Sequence, residues 1–349
     1  MKFNSIDLFS GCGGLTEGMR EAGFNTCVAV ELAHDAVAAF KLNHPRTKII
    51  EGDIRKIPSE EIRRCLKGKT LHLLAGCPPC QGFSSIRRLN RLQNVNDPRN
   101  DLILEYLRMV ENLRPLTIMM ENVPALAHYE KFQEVVNRLE TMGYNPKVKI
   151  VNVCSYGVPQ NRKRLVMVGS RLGNLEIAKP LDIKVTVRDA IGSLEPTSKT
   201  KDFVHKIYPR HTKSVLNRIK LTPKNGGSRK DLPKEYALSC HKKKNVGFND
   251  VYGRLRWDDY STTITGGCLN PSKGRFLHPV KNRCITAREA ALLQSFPPKY
   301  KFPKNISRSS LALLIGNALP PKFSYYQSLE IYNHLKYYMD SDNVYIDDN

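Results

Sequence analysis

Apolar residues in the first half of the chain fall in short runs, separated by stretches where they recur every three or four positions. The runs at 3–8, 26–30, 48–50, 71–75, 117–120, 148–153 and 165–168 predict strands. The periodic stretches at 34–42, 101–113 and 130–142 predict helices. Another helix follows residues 9–14, with Leu15, Met19 and Ala22 on one face, and Leu102, Tyr106, Val110 and Leu113 form the stripe of 101–113. Strands that alternate with helices predict an α/β, Rossmann-like, mainly parallel sheet with helices on both faces. After Gly173 the pattern loosens. Residues 181–305 read as a smaller, loop-rich second domain, with 1–180 as the main domain, completed by 306–349. Within the latter part, 288–295 returns to helix, and 316–321 reads as the start of a last helix running to 338.

The polar residues that interrupt this pattern sit at predicted strand ends, where open α/β sheets place working groups. Gly11-Cys12-Gly13-Gly14 follows the first strand and opens a helix, so the backbone there can approach a ligand closely. It lacks the lysine of a phosphate-binding loop. Glu31 ends the second strand, placed for ribose hydroxyls, and Asp53 follows the third, placed for an exocyclic adenine amine. An adenosine-containing ligand without a pyrophosphate fits that set. The fourth strand leads into Gly76-Cys77-Pro78-Pro79-Cys80-Gln81-Gly82-Phe83-Ser84, where two prolines forbid both helix and strand. The turn presents Cys80 at the sheet rim. Glu121 ends the fifth strand and faces the same rim, and Arg162 and Arg164 supply positive charge that favours a thiolate. Cys77-x-x-Cys80 can also be read as half a zinc site or a redox pair. The other cysteines are scattered, no second ligand pair stands at metal spacing, and no metal is expected.

Charge adds a partner. The 349 residues carry 55 Lys or Arg against 33 Asp or Glu, a net charge of +22, which favours a polyanion and above all nucleic acid. Residues 199–244 hold 14 basic and 3 acidic side chains, 14 − 3 = +11, so half the excess charge lies in that stretch. No apolar run approaches the roughly 20 residues a membrane helix needs, and no signal-peptide pattern opens the chain. Nine cysteines, odd in number and scattered, suit a reducing compartment.

These motifs resemble, in order and over nearly the whole length, those of the cytosine-5 DNA methyltransferases. Asp7-Leu8-Phe9-Ser10-Gly11-Cys12-Gly13-Gly14-Leu15 is similar to the family's S-adenosylmethionine loop, with Glu31 and Asp53 at the next cofactor positions. Pro79-Cys80-Gln81 resembles the nucleophile motif, Glu121-Asn122-Val123 the acidic motif, and Gln160-x-Arg162-x-Arg164 the basic one. Residues 254–265, with Ser261-Thr262-Thr263-Ile264-Thr265, are similar to the motif bordering the recognition domain. Gly316-Asn317-Ala318-Leu319-Pro320 matches the last motif, save that Leu319 stands where Val is commoner. The basic stretch 199–244 matches no recognition domain of known target.

The resemblance implies methyl transfer from S-adenosylmethionine to carbon 5 of a flipped-out cytosine in a specific duplex DNA sequence. It assigns Cys80 the attack on ring carbon 6, Glu121 the ring nitrogen and 4-amino group, Arg164 the base carbonyl oxygen, and Arg162 the order of the site. It puts Phe9, Gly11, Gly13, Gly14, Leu15, Glu31, Asp53, Ile54, Pro79, Leu102 and Asn317 around the cofactor, and makes 181–305 the target-recognition domain. Cys77 is then structural, and 81–99, with Arg87, Arg88, Arg91 and Arg99, is a loop expected to close on the DNA backbone. A monomer is expected, cytoplasmic in a bacterium or nuclear in a eukaryote, with a cognate restriction endonuclease as a further partner. A tRNA cytosine-5 methyltransferase is the near alternative, but its Cys-Phe-Thr signature is absent. A non-catalytic DNA-binding protein would have no use for Cys80, Glu121 and the glycine loop together, and a nicotinamide-dependent oxidoreductase would give Cys80 and Glu121 no task.

Overall fold

The structure, a computed structural model, describes residues 2–79, 101–236, 238 and 250–340. Contacts divide the chain into two units. The first comprises residues 1–152, 163–181 and 319–349, and the second comprises 153–162 and 182–318.

The first unit is built on a seven-stranded sheet: β1 (Asn4–Leu8), β2 (Asn25–Glu31), β3 (Lys48–Glu51), β4 (Leu73–Gly76), β5 (Thr117–Asn122), β6 (Lys147–Asn152) and β7 (Lys163–Ser170). The strand order is β3-β2-β1-β4-β5-β7-β6. β3 through β5 run parallel, and β7 and β6 add an antiparallel edge. Parallel strands covered on both faces must be apolar throughout, and every residue of β4 and β5 is buried. From β1 the chain winds outward through β2 and β3, then crosses back to lay β4 on the other side of β1. The crevice opened by that reversal is where such sheets bind ligands. It lies between the ends of β1 and β4.

Among the described residues the helices are α1 (Gly14–Glu21), α2 (His34–Asn43), α3 (Ser59–Leu66), α4 (Leu102–Leu113), α5 (Glu130–Thr141), α6 (Val187–Ile191), α7 (Lys213–Leu221), α8 (Ala287–Leu293), α9 (Arg308–Asn317) and α10 (Pro321–Asp340). The apolar stripe of α4 is buried as its spacing requires, and the Tyr106 hydroxyl reaches the carbonyl oxygens of Leu74 (3.2 Å) and Met119 (3.0 Å). This satisfies the one polar atom of a wholly buried ring beneath the ends of β4 and β5. Helix α10 lies against α1, where Ser324 Oγ donates to the Leu15 carbonyl at 2.8 Å. A Cβ on Gly18 would collide with Ser324 and the Pro321 carbonyl, so the close approach depends on that glycine.

The second unit has little regular structure, and buried polar anchors substitute for sheet. Arg254 is completely buried and donates to the carbonyls of Ile219, Thr222, His278 and Lys281 and to Asn282 Oδ1. One guanidinium thereby ties the end of α7 at 219–222 to the loop 278–282, a use of its five fixed donors that lysine could not reproduce. The run at 316–321 does not begin the last helix: it joins α9 to α10. Ala318 is extended (φ −61°, ψ 144°), and Pro321, with φ preset and no N–H to lose, starts α10.

Candidate active site

At the end of β1 the backbone turns sharply. Phe9, Gly11 and Gly13 have φ of 60°, 55° and 96°, so a non-glycine residue holds a left-handed conformation at the mouth of the crevice. Glu31 fixes the turn from β2: one carboxylate oxygen accepts from the Gly11 amide at 2.8 Å, the other from the Ala33 amide at 2.8 Å. Each oxygen retains a second lone pair for a ligand hydroxyl. A Cβ on Gly11 would meet nothing within 4 Å, so open space lies before the loop. A nucleoside with hydroxyls to donate fits this cradle. Gly14 and Leu15 begin α1 and are buried. Ile54 and Leu102 are also buried, in the core cluster below.

Asp53 is engaged differently. Arg55 grips its carboxylate through Nε (2.9 and 3.0 Å) and Nη2 (2.5 Å), and the same carboxylate caps the short turn Ile54–Lys56. That side-chain pairing holds Asp53 below the usual carboxylate range.

Asp7 was not among the residues singled out for the site, though a carboxylate inside the apolar run Ile6-Asp7-Leu8 is the signal for it. It is fully buried; Thr16 Oγ1 donates to Oδ2 at 2.5 Å, and Oδ1 has no partner among the described residues. Burial, with the Glu31 charge adding to it, raises Asp7 from 3.8 to about 7. The folded chain thus holds a proton that the unfolded chain releases near pH 3.8. Stability from this group is intact below that pH, declines as pH rises toward 7, and is lost above it. Asp7→Asn is expected to flatten the decline, with the wild type losing on the order of 4 kcal/mol more across that window (1.36 kcal/mol per pKa unit). Urea unfolding at pH 4, 5.5, 7 and 8 checks it, and parallel curves for the two proteins would refute it.

The neighbouring rim carries the reactive constellation. Gly76, at the end of β4, has no room for a side chain: a Cβ would lie 3.0 Å from the Leu8 carbonyl and 3.2 Å from the Tyr106 ring. The Cys77 amide then donates to Leu8 O at 3.2 Å, and Asn122 Nδ2 donates to Pro78 O at 2.9 Å. Two prolines have no amides to anchor themselves, so Asn122 supplies the bond that holds this turn. Next to Asn122, Glu121 pairs with Arg164 of β7 at 2.5 Å, both side chains nearly buried. Cys77 is pushed well up by burial and then by the charges of Glu121 and Asp7, so it is a thiol. Pro79 is the last described residue of the turn. Cys80 and the arginine-bearing loop after it lie outside the described residues.

In the second unit, Gln160 Nε2 donates to Gln294 Oε1 (2.7 Å) while its Oε1 accepts from the Ile264 amide (2.8 Å). Arg162 Nη1 donates to the carbonyls of Ile264 and Gly316, both at 2.9 Å. Two side chains of one short motif thus knit three distant segments, 160–162, 264 and 294–316. Asn317 ends α9 with its side chain exposed. Glu121 and Arg164 come together in the first unit, as do the 9–14 loop and Glu31. Among the described residues, no group of three or more His, Cys, Asp or Glu could hold a metal ion. No described helix is long and apolar enough to cross a membrane.

Residues 3–332 match the family model of the C-5 cytosine-specific DNA methylases. The Type II methylase M.HgiDII of Herpetosiphon aurantiacus is 34% identical over 328 residues, covering 90% of this chain and 91% of that protein. The Type II methyltransferase M1.HphI of Haemophilus parahaemolyticus is 31% identical over 329 residues, covering 92% and 84%. Among solved structures, a prophage-encoded chain of E. coli described as a DNA modification methyltransferase superposes with a TM-score of 0.72 at 26% identity, covering 96% of this chain and 99% of that one.

Proposed function

The chain belongs to the C-5 cytosine-specific DNA methylases and is a DNA (cytosine-5)-methyltransferase, and from that premise we propose that Cys80, Glu121 and Arg164 carry out the chemistry. Carbon 5 of cytosine is too weak a nucleophile to take a methyl group unaided. Addition of the Cys80 thiolate to carbon 6 breaks the ring's aromaticity and leaves an enamine whose nucleophilic end is carbon 5. Glu121 holds ring nitrogen 3 and the 4-amino group and stabilises the charge that develops as sulfur adds. Arg164 orients Glu121 and reaches the base carbonyl oxygen; Arg162 keeps the basic motif in place through its carbonyl bonds. After transfer, the carbon-5 proton leaves to water and the thiolate departs.

The family implies S-adenosylmethionine as donor, which when bound supplies an electrophilic sulfonium methyl. Glu31 would accept from its ribose hydroxyls, with Phe9, Gly11, Gly13, Gly14 and Leu15 shaping the cradle. Asp53, Ile54, Pro79, Leu102 and Asn317 are assigned to the same cofactor. The second unit, taken as residues 181–305 with their neighbours, reads the duplex, and the target base is extruded to reach the rim. The names of the Type II relatives favour a role in restriction–modification beside a cognate endonuclease.

The observation that carries this reading is the nearly buried Glu121–Arg164 pair standing beside the Asn122-anchored proline turn that leads to Cys80. Its test is acceptor choice. Labelled S-adenosylmethionine is expected to mark duplex DNA, and neither tRNA nor a reaction without acceptor. Label in tRNA alone would overturn it.

A further inference from the structure

The second unit contains an open cavity of about 660 Å³ that the chemistry above leaves without a task. Arg210, His211, Lys273 and Arg308 converge on it, and none of its described lining residues is acidic. Among the described residues, Arg210, Lys273 and Arg308 have no carboxylate within ion-pair distance. Four other arginines of the unit are paired: Arg188 with Asp258, Arg275 with Asp250, Arg283 with Glu289, Arg288 with Asp202. Unpaired like charges around one concavity repel each other, and an anion relieves that repulsion.

The wall is also bare backbone at one point. A Cβ on Gly267 would lie 2.9 Å from the Lys273 Cβ, and one on Gly266 2.7 Å from the Leu313 side-chain tip, so a side chain at either position would have to push a neighbour aside. Tyr252, another wall residue, holds φ at 55°, strained for an aromatic residue. His211 Nε2 is buried with no hydrogen-bond partner among the described residues. Burial, and then the Arg308 charge, lowers the His211 pKa, which favours the neutral ring.

We propose that this cavity seats a backbone phosphate of the duplex substrate, with Arg308 and Lys273 as its charge partners. The inference rests on the reading that the second unit receives DNA. A phosphate contact positions the duplex and is blind to sequence.

The test measures binding of a fluorescent duplex to the full chain across a salt series, for wild type, Arg308→Gln, Lys273→Gln and the double variant. Lys220→Gln, an exposed lysine of α7 outside the cavity, is the control. The double variant is expected to bind about tenfold more weakly to cognate and unrelated duplexes alike, with a log–log salt slope smaller by about 1. S-adenosylmethionine binding and the melting temperature should stay at wild-type values. Unchanged affinity and slope in a folded double variant would overturn the proposal, as would an equal loss in Lys220→Gln, which would mean diffuse attraction. Failure of the wild type to bind duplex at all would instead remove the reading on which the proposal rests.

Discussion

Cys80→Ala is expected to lower methyl transfer to duplex DNA by on the order of 10⁴-fold or more, the scale seen when a covalent nucleophile is removed, while duplex binding survives. Without sulfur at carbon 6, carbon 5 stays part of an aromatic ring and no other group on the rim can activate it. Cys77 cannot stand in: burial and the charges of Glu121 and Asp7 oppose its ionisation, and a thiol is a poor nucleophile. Cys77→Ser should therefore retain activity within about tenfold, which separates the two cysteines of one short turn. A duplex with 5-fluorocytosine at the target adds a direct readout. Fluorine cannot leave as a cation, so wild type and Cys77→Ser should accumulate a denaturation-resistant complex and Cys80→Ala should form none. Transfer persisting in Cys80→Ala would mean that methylation proceeds without the adduct.

The sheet was legible because its strands are short apolar runs between periodic helices, and Leu73–Gly76 and Thr117–Asn122 fall close to where that pattern puts them. The strand-end residues were legible for the same reason: an acid or a glycine pair following an apolar run stands at a sheet rim wherever the fold is α/β. Asp7 was not, because its position is that of a core residue and only its environment makes it titrate near neutrality. The partners of the named residues were hidden too. Nothing local connects Gln160 to Gln294, Arg162 to Gly316, or Arg254 to four distant carbonyls. Such anchors replace the periodic patterns on which sequence reading depends. Helix α9 escaped for a related cause: the Gly-Asn-Ala-Leu-Pro-Pro run looks like a helix start, and only the extended backbone at Ala318 shows that it separates two helices.

Glu121→Gln is expected to cut the rate of transfer by about 10²–10⁴-fold, the range for a lost general acid, with affinity for duplex and cofactor kept. The substitution preserves shape and leaves Arg164 a neutral acceptor, but an amide cannot transfer a proton to ring nitrogen 3. Folding stability should fall only in part, since the amide oxygen still accepts from the guanidinium, 13% exposed, although its charge is no longer balanced. Arg164→Met is the informative contrast. It strands a nearly buried carboxylate and should destabilise the fold by about 3–5 kcal/mol as well as slow transfer. Single-turnover rates alongside urea unfolding distinguish the cases: Glu121→Gln loses far more rate than stability, Arg164→Met loses both. If Glu121→Gln transferred methyl at the wild-type rate, Glu121 would be a structural partner of Arg164 and the acid would have to be sought elsewhere.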